Sequence, residues 1–93
     1  MAYSIEISPE FEEGYRTLCS KNRAFKMALD NKIRQITENL EFVPDHYKPL
    51  KGGMAGIKRV HIESSFVLLF ETFKETKKVR LLKIEHHDKA YNV

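Results

Sequence analysis

The sequence predicts an α+β fold in which a helical hairpin covers one face of a four-stranded, mainly antiparallel sheet, in the order β-α-α-β-β-β. Residues 3–7 alternate polar and apolar side chains, the period of a half-buried strand. Two stretches between Pro9 and Leu40 repeat their apolar residues at helical spacing. Three strand-like runs then follow in close succession from Ile57 to His86, with no room for a helix between them. Strands and helices grouped in this way suit a sheet with its helices gathered on one side.

In chain order, the first strand ends where Ser8-Pro9-Glu10 offers a helix cap, a first-turn proline and an acid near the positive end of the helix dipole. The first helix should therefore begin at residue 9, with Phe11, Tyr15 and Leu18 on its buried side and Gly14 weakening it by about 1 kcal/mol relative to alanine. A break over Ser20 to Asn22 precedes a longer helix to about Leu40, whose stripe is Phe25, Leu29, Ile33, Ile36 and Leu40. Pro44 stops it, and Asp45 to Gly56 reads as an irregular connection. Ile57 to Glu63 alternates; Ser65 to Phe73 is apolar on both faces and suits a central position; Lys77 to His86 alternates again after a turn at Lys74-Glu75-Thr76. If Val60 and Ile62 point at the helices, Arg59 and His61 point away. If Leu82 and Ile84 point inward, Lys83, Glu85 and His87 share the outer face, which must then be solvated or bind something.

Ninety-three residues suffice for one domain, residues 1–93, with no material for a second core. The single cysteine, Cys19, cannot pair within the chain, which favours a reducing, cytoplasmic setting and a small core residue in place of a nucleophile. The longest uninterrupted apolar run, Phe66 to Phe70, is too short to span a bilayer, and no targeting segment is expected. The net charge of +3 is unevenly spread: residues 1–44 carry six Lys/Arg against seven Asp/Glu, residues 45–93 ten against six, together with all four histidines. A polyanion is the natural partner of the second half.

The chemistry gathers at the end of the last strand, where Lys83, Glu85, His86, His87, Asp88 and Tyr91 put a cation, two imidazoles, carboxylates and a phenol within a few residues. Alternate strand residues share a face about 7 Å apart, so Lys83 and His87 flank Glu85 on one surface. A proton acceptor, a proton donor and a cation suit an RNA phosphodiester. Neither a Cys pair nor a His-x3-His spacing supports a metal, so no metal or cofactor is expected, although His61, His87 and Asp88 could be imagined around zinc. His46 falls in a loop, and His86 on the side of the strand opposite His87.

On these residues the chain resembles the RelE/ParE superfamily of toxins from toxin–antitoxin pairs, and within it the YafQ-type branch. The likeness spans essentially the whole chain and rests on the element order, Tyr47 to Gly52, Lys58 to Glu63, Phe66 to Phe70 and His87 to Tyr91. It implies a RelE-like fold and an endoribonuclease that cuts mRNA in the ribosomal A site, beside the 16S rRNA, and is silenced by a cognate antitoxin. Residue by residue, His61 and His87 match the branch's active-site histidines, Phe66 its stacking aromatic and Tyr91 its terminal aromatic. Lys83 stands where arginine is usual, which keeps the charge but loses the bidentate fork. Ser65 replaces an aspartate, and Lys48 takes the place of a common histidine. The extra C-terminal helix of some relatives is not expected.

Cleavage of this kind needs a base for the 2′-OH, an acid for the departing 5′-oxygen, and positive charge on the phosphate. His87 is the leading acid or base, with His61 as its complement or a phosphate donor, and Lys83 as the transition-state cation. Arg59, Lys48 and Lys51 offer further RNA contacts, and Phe66 and Tyr91 could stack bases. Phe66, Leu68 and Phe70 equally suit a core. Two other readings stay open: a ParE-like inhibitor of DNA gyrase, which would not need the histidines, and an inactive relative that retains antitoxin binding alone.

Overall fold

The structure, a computed structural model, describes residues 3–43, 56–63 and 65–86. Strand β1 (Ser4–Ile7) leads into helices α1 (Pro9–Cys19) and α2 (Arg23–Phe42), followed by β2 (Ile57–Ile62), β3 (Phe66–Phe73) and β4 (Lys78–His86). The strands form one sheet in the order β1-β4-β3-β2. The β2/β3 and β3/β4 pairs are antiparallel and β1/β4 is parallel, so the expected helical hairpin on a mainly antiparallel sheet is the observed architecture. The connection expected over Asp45 to Gly56 lies outside the described residues except for Gly56.

Both helices begin where the sequence offers caps. Ser8 Oγ accepts from the Phe11 amide at 3.0 Å, and Pro9 occupies the first turn, where its missing N–H costs nothing. Asn22 Oδ1 does the same for the Phe25 amide at 3.0 Å. The Ser8 hydroxyl also donates to the Leu82 carbonyl, and the Ser8 amide donates to Leu81 O at 3.0 Å, which pins the start of α1 to β4. Phe11, Phe25, Leu29, Ile36 and Leu40 from the helices meet Ile62, Leu68, Phe70, Val79 and Leu81 from the sheet in one buried cluster, with Tyr15, Leu18 and Ile33 packed against it.

Strand ends depart from the sequence reading where the backbone turns left-handed. Glu63 has φ 55° and Lys77 φ 51°, a region that a side chain disfavours in a strand, so β2 stops at Ile62 and β4 starts at Lys78. The larger correction is on β4. Leu69 pairs with Lys83 whereas the next residue, Phe70, pairs with Leu81, so a β-bulge sets both Leu82 and Lys83 opposite Leu69. The inward residues are therefore Leu81 and Ile84, not Leu82 and Ile84. The outer face is also less bare than expected, since Val67 and Leu69, outside the helix-side cluster, are buried at its centre.

Candidate functional site

Strand register alone assembles the site. On the face turned away from the helices, Arg59 of β2 lies opposite Leu69 of β3, which lies opposite Lys83 of β4. The neighbouring row reads His61, Val67, Glu85. Adjacent strands are about 4.8 Å apart, so each row spans about 10 Å from a β2 side chain to a β4 side chain. Two cations, an imidazole and a carboxylate thus frame a buried apolar strip, Val67 and Leu69. The bulge matters here, because without its extra residue the alternation that brings Leu81 inward would turn Lys83 toward the helices.

Lys83 Nζ lies 2.6 Å from Glu85 Oε1 and 3.9 Å from Glu10 Oε2 at the start of α1. The hydrogen bond to Glu85, aided by the charges of Glu85 and Glu10, lifts the Lys83 pKa above its ordinary value against the opposing effect of burial. Lys83 is therefore an ammonium throughout the neutral range. β1 pairs with β4 only along Lys78–Leu81, so the Lys83 segment has a strand neighbour on the β3 side alone among the described residues. A groove of about 490 Å³ runs there between β4 and α1, lined by Glu10, Gly14, Thr17, Lys83, Glu85 and His86 among others.

Of the residues singled out from sequence, Arg59, His61 and Lys83 come together. Phe66 does not join them: it lies in the row Ile62, Phe66, His86 on the helix side, its ring 5.1 Å from that of Phe25 and 5.5 Å from the His86 imidazole, both edge-on. His87, Tyr91, Lys48 and Lys51 lie outside the described residues. Glu85, half-buried and in contact with Lys83, is the site residue that the sequence reading left without a role; its signal was the i, i+2 spacing to Lys83. Cys19 is buried, and burial, aided by the charge of Asp30, raises its thiol pKa, so it stays protonated and inert. No described helix is long and apolar enough to cross a membrane.

No protein-family model matches the chain. A relative in Methanocaldococcus jannaschii, named "Putative toxin RelE4", is 36% identical over 89 residues, 96% of this chain and 90% of the relative. The chain belongs to the RelE-type toxin superfamily. Solved structures of RelE-type toxins share its fold at lower identity. The RelBE2 toxin–antitoxin complex from Mycobacterium tuberculosis aligns with a TM-score of 0.73 at 17% identity, covering 94% of this chain and all of that one. YafQ from E. coli aligns at 0.71 and 20% identity, covering 97% and 99%. At such identities the neighbours establish the RelE-type fold, and the chemistry must be argued from this chain's own residues.

Proposed function

We propose that this RelE-type toxin is an mRNA interferase, a ribosome-dependent endoribonuclease that acts in the cytoplasm and is held in check by a cognate antitoxin, with residues 1–93 working as one domain. The observation that supports this reading is the pair of adjoining rows that sets Arg59, His61 and Lys83 on one face. A phosphodiester laid across them would meet cations from two strands and an imidazole able to take or give a proton. Lys83 carries the developing phosphate charge, Arg59 fixes the strand, and His61 works with His87 as acid and base around attack by the 2′-OH. Tyr91 supplies a surface for base stacking, and Lys48 and Lys51 hold flanking phosphates on the ribosome-bound message. No metal or cofactor enters the scheme.

The test is direct. Purified chain added to ribosomes programmed with a defined mRNA should create new ends inside the coding sequence, in the codon held in the A site. An intact message, with supercoiling by DNA gyrase blocked instead, would overturn the nuclease reading in favour of a ParE-like inhibitor.

A further inference from the structure

We propose that Glu85 is a positioning residue for Lys83: it fixes the ammonium on the outer face of the sheet, where the proposed RNA chemistry needs it. The inference rests on the nuclease reading for its purpose but on contacts within the chain for its substance. The β-bulge places Leu82 and Lys83 together opposite Leu69 and so turns the base of the Lys83 side chain outward, but strand register does not fix where its four-carbon stem carries the ammonium. Two carboxylates compete for the ammonium. Glu10 is 76% exposed on α1 and stands 3.9 Å away, at the outer limit of an ion pair. Glu85 is 19% exposed and 2.6 Å away, a charge-assisted hydrogen bond.

Glu85 is also the carboxylate whose own position is set. It belongs to the row His61, Val67, Glu85, with buried Val67 directly opposite it on the central strand. Lys83 sits in the adjacent row. The contact therefore ties the ammonium to the row of His61 and Glu85 at the rim of the α1 groove, which Lys83 and Glu85 also line. A flexible four-carbon stem that would otherwise sample many rotamers is held near one, which is how a lysine approaches the preorganisation that arginine brings with its rigid fork.

Two measurements test this. In the isolated protein, NMR titration of the Lys83 side chain should show its raised pKa falling toward the ordinary lysine value in Glu85→Gln and staying raised in Glu10→Gln. On programmed ribosomes, Glu85→Gln should slow single-turnover cleavage roughly tenfold, but should change nothing further when added to Lys83→Ala, because Glu85 acts through Lys83. Glu85→Asp, which keeps the carboxylate, should recover part of the rate. Equal slowing in both backgrounds, or a Lys83 titration shifted as much by Glu10→Gln as by Glu85→Gln, would overturn the assignment. If wild-type chain cleaves nothing, the nuclease reading and the purpose of the contact fall together; if it cleaves and Glu85→Gln matches it, only the positioning role falls.

Discussion

The proposed phosphate contact requires a charged Lys83, and the surroundings of Lys83 keep it charged. Because Glu85 raises its pKa in the folded chain, the stabilisation from the pair is complete below the unfolded lysine value of about 10.4 and is lost as pH rises through the higher folded value. Thermal melting of wild type and Lys83→Met should thus differ by the same amount from pH 7 to 9 and converge only as pH rises past about 10.4. His61 is exposed on its strand, so His61→Ala should move stability by no more than about 0.5 kcal/mol in urea denaturation. The same substitution should lower single-turnover cleavage roughly 10²- to 10⁴-fold if the imidazole transfers a proton. A wild-type rate in that variant would remove His61 from the proposed chemistry.

At the scale of elements, the hairpin owes its closure to more than its apolar stripe. The Tyr15 hydroxyl of α1 donates to Asp30 Oδ1 of α2 at 2.8 Å, while Lys26 Nζ reaches Asp30 Oδ2 at 2.8 Å. Tyr15→Phe keeps the ring and removes this bond, at an expected cost of about 0.5–1.5 kcal/mol in chemical denaturation. Gly14→Ala should act the other way: an added Cβ would lie 3.9 Å from Ile84 Cβ, an ordinary contact, so the helix gains about 1 kcal/mol of propensity without a clash. The helices were legible because capping and periodicity are local signals: Ser8 and the two stripes perform as their spacing implies, whereas Asn22, read only as part of a break, is the cap of α2. The central place of β3 followed from its two-faced apolarity. The β4 bulge was not legible, since nothing in Leu81-Leu82-Lys83 marks one extra residue until the partner strand fixes the register. Arg59 and His61 fell on the right face by simple alternation. Phe66 shows where that method stops: which of two apolar surfaces an aromatic joins depends on Phe25, forty-one positions away.

For the whole molecule, the charge imbalance becomes a matter of which surface a partner must cover. Helix α1, with Glu10 and Glu12 in its first turn, packs on the helix side of the sheet, the row of Arg59 and Lys83 belongs to the opposite face, and the two meet at the β4 edge, where Lys83 Nζ comes within 3.9 Å of Glu10. The proposed antitoxin therefore has reason to be an extended, partly disordered acidic chain that wraps the domain, because coupled folding lets a short segment cover a broad shallow surface. Lys83→Glu should then damage two properties together. Cleavage falls through loss of phosphate stabilisation, and antitoxin affinity falls through like-charge repulsion, which salt should weaken because the residue is partly exposed. The new carboxylate would also face Glu85 and Glu10, so a melting curve must first establish that the variant is folded. His87→Ala should lose cleavage alone if the antitoxin covers the site without using that imidazole. Binding titrations of both variants against the antitoxin at low and moderate salt separate these outcomes. Unchanged affinity in Lys83→Glu would mean that inhibition does not work by masking this face, and that the antitoxin acts by displacing an element of the toxin itself.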